Sequence, residues 1–462
     1  MRNPIVLLLL AGTLALGADS ASDLLQKAIY TQDTVGDTEA AIKIYRQIVG
    51  ESKAGRAVAS QAQYRLGMVL LKKGNAAEAR TELQRLIDEY PEQKELAEKA
   101  RQVMPLDLKL LPEPWADGET MQLSLKLAGG ASIGAIILTA DLVDYKNAKA
   151  WQLGIRRADV QSRGGSRVLA DVATFRPLTS RFKHSMLGTV EDEYSSGVAR
   201  VVRAGAEPKD VEMPSVVFDN EQGMHLFRRL PLAEGYKATI PFFASFGSGR
   251  LDVAAEVTKR ETVETPLGKF DTFKLELTAL HQTFWIANDS TRTLAKFEAS
   301  GVMAEVTSVR QSRGTQELRS VKLGVSAILP AGWFSCETDL GGSVVHLLDP
   351  DADAMTMIVA ENESSHSAEE LRKAMEDKLA LRSKALQGYS IRAESWQRRD
   401  VAGMPAWTAQ GDYKENGKDM MESATAIQAP AKRFILMSRG PVQAVEALRP
   451  QLDAILSSIQ TQ

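Results

Sequence analysis

The run Met121-Gln122-Leu123-Ser124-Leu125-Lys126-Leu127 decides the fold class. Met121, Leu123, Leu125 and Leu127 alternate with Gln122, Ser124 and Lys126. That two-residue period belongs to a strand with one buried face. A second apolar run, Ile133 to Leu138, follows Gly129-Gly130. Further strand candidates are Trp151 to Ile155, Gly197 to Arg203, Leu251 to Val257, Phe270 to Leu277, Thr283 to Ala287 and Leu294 to Glu298. Pro266-Leu267-Gly268 marks a turn just before one of them. Short strands with local connections predict a strongly curved antiparallel β domain over residues 117–315.

Upstream the period changes. Over residues 23–104 apolar side chains recur at three- and four-residue steps, as in amphipathic helices. One set runs through Leu24, Ala28, Ala41, Ile44, Tyr45 and Ile48, a second through Leu66, Leu70, Ala79, Leu83 and Leu86. Gly36 and Gly74 each separate two runs. A further helix is expected over about Gln93 to Val103. Leu66-Gly67, Gly74, Ala79, Leu83 and Pro91 resemble the tetratricopeptide repeat. The first copy departs from it at Ile29, and the copies lie 38 residues apart. The resemblance implies paired helices that bind a protein or peptide; the plainer reading is a helical spacer. Pro105 to Trp115 carries three prolines and reads as a linker.

Downstream, the polar stretch Gln311 to Ser320 precedes a new pattern over residues 321–461. Strands are expected at Leu323 to Leu329, Ser343 to Leu348, Met355 to Ala360, Ile391 to Gln397, Met404 to Tyr413, Met420 to Ile427 and Arg433 to Ser438. Asn416-Gly417 is a tight-hairpin signal. Ser367 with Glu370 opens one helix as a capping box, and Leu371, Met375, Leu379 and Leu386 form its apolar stripe. A second helix runs from about Val442 to Ile459, and Pro450 should kink or break it.

Two further resemblances follow from motifs. Thr265 to Glu276, Thr283-Phe284-Trp285-Ile286, Thr174 to Leu178, Phe218-Asp219-Asn220 and Arg228 to Leu232 together resemble an exported bacterial family of unknown function. That family is similar to the half-barrels of lipoprotein carriers. Leu329-Pro330-Ala331-Gly332-Trp333 and Val401 to Trp407 resemble the PsbP-like fold. The expected architecture is therefore multidomain α+β: helical repeat hairpins, a curved antiparallel β half-barrel, then a PsbP-like α/β sandwich.

The chain opens with Arg2, an apolar run from Ile5 to Leu16, and small residues at Ala15 and Gly17. This is a secretory signal pattern, placing residues 1–17 as a leader and the protein in the periplasm or outside the cell. The run is shorter than the ~20 residues a spanning helix needs. No cysteine follows it to carry a lipid anchor, and no transmembrane span is expected in the mature chain.

Lys+Arg number 56 and Asp+Glu 59, a formal charge of -3 that offers no basic field for nucleic acid. The single cysteine, Cys336, excludes an intrachain disulfide. No histidine pair has helical ligand spacing, and no P-loop or dinucleotide fingerprint occurs. Gly130-Ala131-Ser132-Ile133-Gly134 fits the nucleophile-elbow string but lies between strands, where it reads as a hairpin turn. Asp349, Asp351 and Asp353 alternate, yet the following positions depart from a calcium loop. No catalytic residue, metal or cofactor is expected.

Two functions remain. The first is a non-catalytic scaffold or adaptor of the cell envelope that binds an envelope protein or peptide. The second is a carrier of a lipophilic ligand, with Phe242, Phe243, Phe246, Phe284 and Trp285 lining an apolar cleft of the β domain. The competing reading of those aromatics is core filling.

Overall fold

The computed structural model describes residues 20–51, 55–103, 108–159, 163–184, 188–195, 198–213, 217–246, 249–311, 314–339, 344–348, 353–363 and 367–461. The expected leader, Asp349, Asp351 and His366 lie outside the described residues. Contacts divide the chain into two compact units, Met1–Asp107 with Met213–Val216, and Leu108–Glu212 with Val217–Gln462.

The first unit is helical: α1 (Ala21–Tyr30), α2 (Thr38–Gly50), α3 (Arg56–Lys72), α4 (Ala76–Glu89) and α5 (Lys94–Val103). Ser20 and Asp37 start α1 and α2 by accepting from the backbone N–H of Asp23 and Ala40. Ala41, Tyr45 and Ile48 of α2 are fully buried, with Leu66 and Leu70 of α3 packed into the same core. Gly67 sits where α3 meets α4: a Cβ there would lie 2.5 Å from Leu83 Cδ2. Only glycine lets the two helices approach this closely, which is the physical content of the Leu66-Gly67 signal.

The second unit begins with a long meander. From β1 (Glu119–Leu127) the chain runs through β2 (Ser132–Tyr145), β3 (Ala148–Asp159), β4 (Arg163–Asp171), β5 (Pro177–His184), β6 (Gly188–Ser195), β7 (Val198–Arg203) and β8 (Lys209–Glu212). The short β9 (Phe218–Asp219), a 3-10 turn (Asn220–Gln222) and α6 (Gly223–Arg228) follow. Then β10 (Lys237–Ala244), β11 (Gly249–Thr265), β12 (Gly268–Leu277), β13 (Gln282–Ala287), β14 (Leu294–Ala299) and β15 (Val302–Arg310) return to the other side of β1. The result is one 15-stranded sheet with β1 and β15 paired at its middle and β8 and β9 at its edges. Met121, Leu123 and Leu125 are fully buried, as the alternation demands.

Among the described residues no ladder bonds close this sheet, so the expected half-barrel is not established, but side chains of its two arms meet. Phe182 of β5 meets Phe246 edge-on at 4.9 Å, and Tyr194 of β6 meets Phe243 of β10 at 5.9 Å. Arg203 donates to the carbonyls of Ser245 and Phe246 at 3.0 and 2.7 Å. The boundary between the two units falls within the expected linker, at Asp107/Leu108, and the linker's second part packs onto the sheet: Trp115 is 5% exposed, and the Leu111 N–H donates to the Arg229 carbonyl at 2.7 Å.

The remaining strands are β16 (Gln316–Ser320), β17 (Val325–Leu329), β18 (Phe334–Thr338), β19 (Val344–Leu348) and β20 (Met355–Glu361). After α7 (Ala368–Arg382) come β21 (Ser390–Ile391), β22 (Gln397–Val401), β23 (Met404–Glu415), β24 (Lys418–Gln428) and β25 (Arg433–Pro441). The helices α8 (Val442–Ala447) and α9 (Arg449–Ser458) precede β26 (Gln460–Thr461). Strands β18 to β25 form an eight-stranded sheet, and β16, β17 and β26 a separate three-stranded one. One sheet face packs Trp407, Ala409 and Ile435 against Leu371, Met375 and Leu379 of α7. The other packs Ile427, Phe434 and Leu436 against Val445 of α8 and Leu452 and Ile455 of α9.

Several local expectations hold here. Ser367 accepts from the Glu370 N–H at 3.1 Å, Asn416 and Gly417 take positive φ in the β23–β24 hairpin, and the last helix breaks with Pro450 in the first turn of α9. Two do not. The polar stretch before residue 321 already contains a strand, Gln316 to Ser320. The strand expected over Ile391 to Gln397 is interrupted by a 3-10 turn at Ala393–Ser395, where Ser395 Oγ donates to the Arg392 carbonyl at 2.6 Å and accepts from the Gln410 N–H at 2.8 Å.

Candidate functional site

The five aromatics proposed as a cleft do not share one face. Phe284 packs on Phe227 of α6 at 4.7 Å and on Phe297 at 4.8 Å. Trp285, the next residue, points to the opposite face, under Lys296 and Lys274, and donates to Glu261 at 2.8 Å. Phe242 meets Phe227 at 6.1 Å while its neighbour Phe243 turns to Tyr194. Phe246 lies beyond the end of β10 and is 41% exposed. Adjacent strand residues face opposite ways, so the pairs Phe242–Phe243 and Phe284–Trp285 cannot line a single cleft.

The curved sheet instead encloses a polar centre around α6. Arg228 donates to Glu119 Oε1 at 2.7 Å and to the Arg292 and Thr291 carbonyls at 2.9 and 3.1 Å. Trp115 covers its guanidinium at 5.2 Å. His225 is buried beside Trp115, and desolvation, aided by the Arg228 charge, holds its imidazole down to about 3, so it is neutral. Arg229 lies 2.9 Å from Glu113 and over the Phe175 ring. Sequence reading quoted Arg228-Arg229 only as part of a family motif; burial of an arginine has no local signal.

A second cluster joins the two arms of the sheet. Asp192 accepts from Ser180 at 3.0 Å and from Ser245. Asp219 accepts from Tyr194 and from the Glu221 N–H at 2.7 Å. Burial pushes the Asp219 carboxyl up to about 6. Burial and the Asp219 charge push Glu221 up to about 7, and burial raises Asp192. Through Ser180, Ser245 and Tyr194 these carboxyls tie β5, β6 and β9 to the residue after β10.

Ser132, the centre of the Gly-rich string, is committed elsewhere. Its hydroxyl donates to the Glu337 carbonyl at 2.7 Å, and its amide donates to Asp339 Oδ2 at 3.1 Å. Gln122 donates to the Ser335 carbonyl at 2.7 Å. The β1–β2 hairpin thus docks onto β18. Cys336, in the same strand, is buried, and desolvation pushes its thiol up to about 12. It is a thiol, not a thiolate, at neutral pH.

In the helical unit, α3 and α4 carry the Gly67–Leu83 crossing on which the repeat resemblance rests. Residues 61–92 match the tetratricopeptide repeat. In the other unit, residues 136–306 match the model described as Protein of unknown function (DUF3108). No curated protein matches the chain. Solved structures similar to parts of it include one from Bacteroides thetaiotaomicron, 11% identical with a TM-score of 0.25, covering 33% of this chain and 49% of that one. The chain thus spans about half the length of that neighbour. Cyanobacterial PsbP from Synechocystis sp. PCC 6803 is 12% identical with a TM-score of 0.28, covering 33% of this chain and 94% of that one. An exported protein with a YmcC-like fold from Bacteroides fragilis is 12% identical with a TM-score of 0.19, covering 44% and 99%. At these scores the three structures carry no argument. The repeat match suggests interaction with proteins. Tyr30 and Val35, each 60% exposed, are large apolar side chains left uncovered at the end of α1 and in the turn after it. No described helix is long and apolar enough to cross a membrane.

Proposed function

We propose that this chain is a non-catalytic, exported protein of the cell envelope that acts as a scaffold. Its helical repeats take a protein or peptide partner, and its β modules dock onto others. The tetratricopeptide match over residues 61–92, seated on the α3–α4 crossing, carries this reading. The signal pattern of residues 1–17 supports export. Ser132 and Cys336, the two nucleophile candidates, are respectively hydrogen-bonded to backbone and buried as a thiol, which favours binding over bond-breaking. The carrier reading loses its lining once the five aromatics part to different faces.

The test is partner recovery from an envelope extract with the full chain and with residues 23–104 deleted. A partner captured by the full chain and lost on deletion is expected. Equal recovery by both defeats the scaffold reading. Intact mass of the protein isolated from its host checks the leader: the chain should begin after Gly17.

A further inference from the structure

The face of the C-terminal sheet turned toward α8 and α9 is apolar at one end only. Elsewhere it is polar. Gln410, Ser423, Ser438 and Thr356 are successive cross-strand neighbours on β23, β24, β25 and β20. In the next row the Thr408 and Thr425 hydroxyls lie 2.9 Å apart. Trp407 and Ala409, one residue out of phase, face α7. Valine in these rows would seal the sheet against the helices. Here a cavity of about 270 Å³ opens between this floor and Val445, Leu452 and Leu456.

Three arginines line it: Arg392, Arg399 and Arg449. Arg392 is held by two hydrogen bonds of 2.8 Å to Asp412, and Arg399 by one of 2.6 Å to Asp453. Arg449 is exposed and has no hydrogen-bond or ion-pair partner among the described residues. The lining carboxylates are Glu394 and Asp453, and Arg392 is further paired with Glu446 at 3.9 Å, so Arg449 is the lining cation that no carboxylate neutralises among the described residues. Guanidinium groups fixed by a carboxylate still present N–H donors, and planar N–H forks match the oxygens of carboxylate and phosphate. Hydroxyls on the floor supply further donors to oxygen atoms that the arginines do not reach. The volume sits at the low end of ligand pockets, about 300 Å³, which restricts the occupant to a small molecule.

We infer that this cleft binds a small oxyanion, a phosphate- or carboxylate-bearing molecule, with Arg449 closing on the anionic group and the Thr408–Thr425 floor holding its remaining oxygens. The site is independent of the helical repeats.

Calorimetric titration of the full chain at low salt with inorganic phosphate, citrate and uncharged glucose tests it. Saturable heat with phosphate or with citrate is expected, and none with glucose; the anion that binds more tightly assigns the group. Arg449→Gln should weaken that anion about tenfold, the loss of one charge-assisted contact. The isosteric Thr425→Val should weaken it as well, and Arg398→Gln, on the face toward α7, should leave it unchanged. No saturable binding by either anion overturns the site. So does equal binding by Arg449→Gln, or equal weakening by Arg398→Gln, which would mark general charge attraction.

Discussion

Arg228 Nη1 donates to Glu119 Oε1 across 2.7 Å, and both side chains are almost fully enclosed, at 1% and 5% exposure. The pair ties the helix inside the curved sheet to the first residue of β1. It also draws in the loop at Thr291 and Arg292, whose carbonyls receive the other guanidinium donors. Two buried charges persist because each nitrogen of the guanidinium, Nε, Nη1 and Nη2, finds an acceptor oxygen.

Removing one partner leaves the other charge stranded. Arg228→Met should destabilise the second unit by about 3–5 kcal/mol, and Glu119→Gln by less, since the amide retains an acceptor oxygen. Urea unfolding followed by tryptophan fluorescence measures this. A loss below about 1 kcal/mol for Arg228→Met would show that the pair contributes little.

The carboxyls joining the sheet's arms predict a pH dependence. Asp219 and Glu221 are held up to about 6 and about 7, above their ordinary values of 3.8 and 4.5. Between about pH 4 and 7 the folded state therefore binds more protons than the unfolded chain, so the stability these groups contribute falls as pH rises through that window. The melting temperature should be higher at pH 5 than at pH 8. Glu221→Gln should flatten that difference; an unchanged slope in the variant would remove Glu221 as its source.

Gly67→Ala places a methyl against Leu83, at 2.5 Å from Cδ2. Overpacking of this kind costs about 1–3 kcal/mol. Helical circular dichroism during thermal unfolding should show the loss, and adding Leu83→Ala, which vacates the space, should recover part of it. No interaction between the two substitutions in a double-mutant cycle would mean the crossing relaxes freely.

Ser132→Ala removes the hydrogen bond to the Glu337 carbonyl. The expected cost is about 1 kcal/mol. Limited proteolysis should show faster cleavage near β18 with the rest of the chain intact. An unaltered cleavage pattern would mean that the Asp339 and Gln122 contacts suffice to hold the hairpin.

Legibility followed the range of the interaction. The alternation at Met121–Leu127, the Ser367 cap, the Asn416-Gly417 turn and the Pro450 break are each decided within a few residues, and each was readable. Phe334–Thr338 was missed as a strand because its partners lie on β19, and its docking contacts come from Gln122 and Ser132. Trp115 read as linker because its neighbours are prolines, yet Trp151, Phe175 and His225 enclose it. The polar floor was visible only as Thr408-x-Gln410 and Ser423-x-Thr425. Periodicity says that such residues share a face; it does not say whether that face meets water or a cavity.

The sequence by itself determined the change from a helical to a strand-rich region and the helix-repeat signal at Gly67, since these rest on local backbone preference and side-chain spacing. Tertiary structure alone decided that β1 pairs with β15, that adjacent aromatics part to opposite faces, and that Arg228 is buried with Glu119. Those outcomes depend on which surfaces leave water together across more than a hundred residues, and no local spacing encodes that choice.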